Sequence, residues 1–288
     1  MELGTVYEEL DGLFAEGRYG EAEAFLRFRI REALREEDLP SALSMWNELG
    51  GFFRVQTRYK EGIEAFKNAL EITLRLGLRA SEQEATIRMN LATLYVASGQ
   101  NEQADSEYEQ AAWIYEKQHI RDYRLAALQN NRASLYLKEK RYDLAMENAK
   151  AALSSISGTF NNEDELGVTN TLLAQICTAQ RDFEKAGVHI AQAEAAFSKL
   201  DSPNPMHYAV LLSAKGQMLS MSGQWEEARL CYESSLPLIR RHFGKNLSYA
   251  SCLRNLAVCC RELQETACGE QYQAEAEKIE KEQRYERA

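Results

Sequence analysis

The chain has 288 residues, 45% of them hydrophobic and 27% charged, the balance of a soluble folded protein and not of a disordered one. A net charge of -10 works against binding a nucleic-acid backbone or an anionic membrane surface, each of which requires a basic face. No eighteen apolar residues run together, so no membrane span is expected; MELGTVYEELDGLF reads as no signal peptide, and six cysteines without a CxxC pair read as reduced thiols in the cytoplasm.

In chain order, one figure recurs: GRYGEA at 17–22, TRYKEG at 57–62, GQNEQA at 99–104, KRYDLA at 140–145, RDFEKA at 181–186, GQWEEA at 223–228 and a weaker QETACG at 264–269. Its final small residues, Ala22, Gly62, Ala104, Ala145, Ala186, Ala228 and Gly269, are 40 to 42 residues apart. Twelve residues upstream lies a second small register (Gly50, Ala92, Ala133, Ala174, Gly216, Ala257), and seven downstream a third (Ala69, Ala111, Ala152, Ala193, Ser235, Ala276). Apolar residues flank each turn at helical spacing, as in Ile87, Leu91, Leu94 and Tyr95 before one and Tyr108, Ala111, Ala112 and Tyr115 after it. The reading is a helical hairpin at each figure, with small residues letting its two helices approach closely. The aromatic opening the second helix (Tyr59, Tyr142, Phe183, Trp225) is expected to plug the hairpin's end.

Punctuation along the chain agrees. Ser81 to Glu84 reads as a capping box, Gly77, Gly158 and Gly244 as helix stops, and residues 201–205 as a connecting loop. Pro237 falls inside a second helix and should kink it near Glu233. From Thr266 onward a narrow apolar strip, Tyr272, Ala276 and Ile279, suits a terminal cap with one wet side. The expectation is an all-α chain of about seven antiparallel hairpins with a period of about 41 residues.

This pattern resembles the tetratricopeptide repeat. Trp46, Leu49, Gly50, Phe53, Gly62, Phe66 and Ala69 match its signature in order, and Leu91, Ala92, Tyr95, Ala104, Tyr108 and Ala111 repeat it. The family unit is about 34 residues; the longer unit here is similar to the kinesin light chain variety. The resemblance implies a right-handed superhelix (an α-solenoid) running over 1–288 as a single array. In it, 1–37 form an atypical N-terminal hairpin, 38–265 the core repeats and 266–288 a C-terminal capping helix.

Signatures of catalysis are missing: no phosphate loop, no nucleophile elbow, and four histidines (His119, His189, His207, His242) without ligand spacing. The chain is therefore read as no enzyme, with no catalytic residue, no cofactor and no metal. Acidic clusters at 36–38 and 163–165 read as solvated helix ends. Cys252, Cys259, Cys260 and Cys268 read as core filler, Cys260 taking the register of Phe53, Tyr95 and Tyr136. Trp113 either anchors a partner or homodimer contact or packs under a neighbouring helix.

The resemblance places the first helix of each hairpin on the inner surface of the superhelix. That surface carries Asn47 and Arg54, then Asn90 and Thr93, then Asn130, Asn131, Ser134 and Lys138, followed by Gln175, Gln217 and Asn255. Asn90, Asn131 and Asn255 share one register and resemble the asparagine ladder of kinesin light chain-like repeats; an amide pairs with both the C=O and N–H of an extended backbone. Over six copies this face has two acidic and four basic residues, which favours a protein or extended peptide with neutral or acidic side chains. The densest cluster is Asn90, Asn130, Asn131 and Ser134. A clamp for a chaperone's C-terminal carboxylate is not reproduced, since Asn47 or Met89 stands where its leading Lys would be. Two functions remain open: a protein- or peptide-binding scaffold, and a bacterial signalling-peptide receptor acting through a partner protein.

Overall fold

We describe residues 3–156 and 161–285 of a computed structural model. They form fourteen helices and no strand: α1 (Leu3–Ala15), α2 (Tyr19–Arg35), α3 (Leu39–Val55), α4 (Tyr59–Arg75), α5 (Glu82–Ala97), α6 (Asn101–Lys117), α7 (Tyr123–Lys138), α8 (Tyr142–Ile156), α9 (Glu163–Ala179), α10 (Phe183–Phe197), α11 (Pro205–Met221), α12 (Trp225–Phe243), α13 (Leu247–Glu262) and α14 (Thr266–Tyr285). The recurring sequence figure is the turn of each hairpin and the start of its second helix.

Each hairpin closes through three residues, and the middle one is left-handed every time: Gly17, Thr57, Gly99, Lys140, Arg181, Gly223 and Gln264 have φ from 57° at Thr57 to 83° at Gly223. This conformation turns two amides back onto the end of the first helix. Gln100 N–H donates to the Tyr95 carbonyl at 2.8 Å and Gly99 N–H to that of Val96 at 3.2 Å; Arg141 and Lys140 repeat the pair on Tyr136 and Leu137. Carbonyls that a helix end leaves without partners are thereby satisfied. Gly77 and Gly244 also have positive φ where the sequence reading puts helix stops; Gly158 lies outside the described residues.

All three small registers are buried. Ala92, Ala133 and Ala257 are wholly or almost wholly covered, as are Ala22, Ala104, Ala145, Ala186 and Ala228, and Ala69, Ala111, Ala152, Ala193, Ser235 and Ala276. A methyl group on Gly50 would sit 2.7 Å from the Phe66 ring, and one on Gly216 2.9 Å from that of Tyr232. Close helix approach is what the small residues permit. The aromatics that open the second helices behave differently from expectation: Tyr59, Tyr142, Phe183 and Trp225 are half-buried, first residues of their helices beside the turn, not plugs sealed in a gap.

The capping box forms by half. Ser81 Oγ accepts from Glu84 N–H at 3.2 Å, but Glu84 accepts from Ala80 N–H at 2.7 Å, one residue short of the cap. The remaining Glu84 oxygen is taken by Arg88, which also reaches Glu107. α12 runs on through Pro237, which has no N–H for the Glu233 carbonyl.

The chain divides into two compact units, 1–120 and 121–288. In the first, α2 packs on α3 and α4 on α5. In the second, α8 packs on α9, α10 on α11 and α12 on α13, while α9 touches both α7 and α11. The last helix covers the end of the second unit: Ala276 and Ile279 join Leu253, Leu256 and Cys259 in one core cluster. Lys245–Glu275 and Arg254–Glu280 ion pairs line its edge. No described helix is long and apolar enough to cross a membrane.

Candidate functional site

In the first unit, α1, α3 and α5 border a cleft of about 740 Å³. Leu3 and Tyr7 come from α1; Pro40, Leu43, Ser44, Asn47 and Glu48 from α3; Glu82, Gln83, Thr86 and Ile87 from α5; Leu76 and Leu78 from the connection before α5. Position within each helix explains the lining. Ser44, Asn47 and Glu48 follow one another at three- and four-residue spacing, so they share one helix face.

Of the expected amides, Asn47 lines the cleft and Asn90 is bonded to it. Asn90 Nδ2 donates to Asn47 Oδ1 at 3.3 Å, fixing one donor and one acceptor and leaving the other half of each amide for a ligand. Thr93 is committed to the Asn90 carbonyl at 2.7 Å, and Arg54 is exposed. Charge in the cleft differs from the sum over the whole inner register. Among the described residues its charged lining is Glu48 and Glu82, and no basic residue lines it. Burial first, then the negative charge of Asp11, pushes the Glu48 carboxyl above its usual range. The same burial, with Glu48 beside it, pushes the Tyr7 phenol up.

The remaining expected residues lie in the second unit. Asn130 is buried, not open: its Nδ2 donates to Thr169 Oγ1 at 2.9 Å, and its Oδ1 has no partner among the described residues. Asn131 is half-buried, while Ser134 and Lys138 are exposed. Gln175 is half-buried on α9, whose neighbouring inner-register residues Thr171, Leu172 and Thr178 are covered. Gln217 is exposed, and Asn255 borders a smaller cleft of about 240 Å³ with Ser213, Ser248 and Ser251. Arg254, counted among the basic residues of the inner register, is neutralised by Glu280 at 2.9 Å.

Other side chains raised by the sequence find plain places. Trp113 is 56% exposed, with Lys117 Nζ 5.0 Å from its ring, so it is a surface residue and not a buried wedge. Cys252, Cys259 and Cys260 are buried, and burial pushes the first and third thiols up to about 12. Cys268 is half-buried with its sulfur 3.2 Å from that of Cys260, and Glu265 completes a group within 4.8 Å, though Glu265 is also bonded to Arg229. Two histidines are more engaged than surface residues: His207 Nδ1 lies 2.7 Å from Asp164, and His189 Nδ1 3.0 Å from Asn170. The His242 side chain lies outside the described residues. Glu48 lies on the same face of α3 as Ser44, and no motif in the sequence singles it out. The signal that would have found it is the apolar company of Leu43 and Ile87.

Residues 41–117 and 126–157 match family models described as tetratricopeptide repeat. No curated protein matches the chain. Among solved structures, the apo form of RapI is 14% identical over 99% of this chain and 98% of its own, with a TM-score of 0.73. NprR in complex with its cognate peptide NprX is 15% identical over 88% of this chain and 77% of its own, with a TM-score of 0.61. TPR-like repeats from Podosopora anserina, described as kinesin light chain, are 21% identical over 70% of this chain and 97% of theirs, with a TM-score of 0.54. Residues 41–117 and 126–157 thus carry tetratricopeptide repeats, and the fold of the described residues is shared with solved structures that include kinesin light chain-like repeats.

Proposed function

We propose that the chain is a non-catalytic scaffold that binds a protein or an extended peptide, and that the cleft of the first unit is where it does so. The observation carrying this reading is a cleft of about 740 Å³ lined by Asn47, which Asn90 holds by a hydrogen bond. Ligand pockets run to ~300–1,000 Å³ and use a few placed polar groups among apolar walls. Each amide retains a donor or an acceptor for a peptide backbone. Beyond the cleft, exposed Arg54 favours neutral or acidic ligand side chains. The cytoplasm, a reducing compartment, suits six free thiols. The second unit carries Asn131, Ser134, Lys138, Gln175, Gln217 and Asn255 as further polar positions for a partner.

A narrower reading is a short-peptide receptor acting through a partner protein. It is supported by the likeness in fold to NprR, which is described with its cognate peptide. Affinity capture from the source cell, run with the native chain and with Asn47→Ala/Asn90→Ala, tests the general reading. A partner retained by the first and lost by the folded variant is the expected result. Equal capture by both would move the site off this cleft. Solution scattering then separates the two readings, since a peptide receptor compacts on binding and a scaffold keeps its dimensions.

A further inference from the structure

We propose that the cleft of the first unit is a receptor pocket for a cationic side chain, an arginine or lysine flanked by aliphatic residues in a bound peptide. The inference rests on the peptide-binding reading above and names the chemistry of its ligand.

Charge complementarity decides the occupant. Two carboxylates, Glu48 and Glu82, line the cleft, and among the described residues no Lys, Arg or His does. Around them stand Leu3, Leu43, Leu78 and Ile87, which would cover the methylene stem of a long basic side chain. Glu48 is half-buried and forms an ion pair with no cation among the described residues. A desolvated carboxylate without a counter-charge is costly, and a ligand that supplies one recovers that cost on binding. Its surroundings sharpen the point, because burial and the like charge of Asp11 both oppose the ionised form. An anionic ligand would add a third negative charge to this cleft. A purely apolar one would cover Glu48 further and leave it still unpaired. Asn47, Ser44 and Gln83 at the edge supply donors and acceptors for the backbone that carries the basic residue.

The experiment uses the full chain and three fluorescein-labelled peptides, Gly-Leu-X-Leu-Gly with capped ends, where X is arginine, its neutral isostere citrulline, or glutamate. Fluorescence anisotropy should show the arginine peptide binding at least about tenfold tighter than the citrulline peptide, and the glutamate peptide weakest. Glu48→Gln should bring the arginine and citrulline peptides within about twofold of each other. Thr86→Arg, at an exposed position on the rim, places a fixed cation in the cleft and should cancel the same preference, with circular dichroism confirming the fold of both variants. Equal binding of the arginine and citrulline peptides, or a preference that survives Glu48→Gln, overturns the proposal; if the peptides still bind, the broader peptide-binding reading stands without it. No binding by any of the three also overturns the pocket assignment, and partner capture with Asn47→Ala/Asn90→Ala then judges the broader reading separately.

Discussion

Gly50 and Gly51 are neighbours in α3, both inside the helix, yet replacing each with alanine should shift stability in opposite directions. A Cβ on Gly50 would lie 2.7, 2.7 and 2.8 Å from three carbons of the Phe66 ring, whereas one on Gly51 would meet nothing within 4 Å. Carbon atoms rest at ~3.5–4.0 Å, so the Gly50 methyl overlaps the ring by about 0.8–1.3 Å. Phe66 is 1% exposed and cannot swing into solvent. Overpacking of this kind costs ~1–3 kcal/mol, against ~0.5–1 kcal/mol gained by removing a helix glycine. The net for Gly50→Ala is about 0–2.5 kcal/mol of destabilisation, centred near 1, and for Gly51→Ala about 0.5–1 kcal/mol of stabilisation. Urea unfolding read by circular dichroism compares the two midpoints, provided the slope is unchanged. Adding Phe66→Leu to Gly50→Ala should recover part of the loss, as a coupling of ~1 kcal/mol between contacting sites. If Gly50→Ala is as stabilising as Gly51→Ala, the helices do not approach as closely as described. The small-residue registers would then need another explanation.

Thr57 holds a left-handed φ of 57° with a β-branched side chain, so Thr57→Gly should raise stability by ~1 kcal/mol in the same urea assay, and no gain would deny the strain. Removing residues 266–288 uncovers Leu253, Leu256 and Cys259, and the product should aggregate or lose helicity; a soluble, fully helical fragment would refute the capping role. The thiols of Cys252 and Cys260, pushed up to about 12, should resist Ellman's reagent at pH 8 until the chain unfolds, and immediate modification of both would contradict their burial. Cys-to-Ser changes should alter stability and not partner binding, and a stoichiometric zinc in the purified protein would overturn that. The raised Glu48 carboxyl, faced by Asp11 and Tyr7 from α1 and Glu82 from α5, favours the folded state when protonated. Its contribution is complete below the unfolded pKa and is lost as pH rises through the folded one. Glu48→Gln should therefore stabilise at neutral pH, with the gain shrinking on acidification; a constant gain across pH would remove Glu48 as the cause.

The hairpins were legible because one constraint, close helix approach, acts at the same three positions in every copy. Ala104, Ala145 and Ala186 are fully buried for one shared reason, and a shared reason is what a repeat displays. Depth on the inner register was not legible. Spacing assigns a residue to a face, but Thr171, Leu172 and Thr178 are covered because α9 is packed by both α7 and α11. Asn130 is turned inward toward Thr169 for a related reason, a neighbour on the next first helix. The cleft could not be read from any repeat register, since Leu76 and Leu78 come from a connection outside the repeated figure. Nor does composition change at residue 120, where the two compact units divide. Adding charges over all copies concealed a locally acidic cleft in the first unit.

The three-residue turns also set where this chain tolerates change in length. Every turn within a hairpin has the same count, because its third amide must reach a carbonyl fixed one turn back in the preceding helix. One inserted residue breaks that reach and rotates the second helix by ~100°, taking its small residues off the contact. Connections between hairpins are not held to that count: residues 36–38 repeat the three-residue left-handed turn, but 76–81 and 198–204 are longer and join the same kinds of helix. Lineages of such chains should therefore gain and lose residues between hairpins and almost never within them. A tag, a protease site or a whole extra hairpin belongs at 198–204, where the fold already accepts variation.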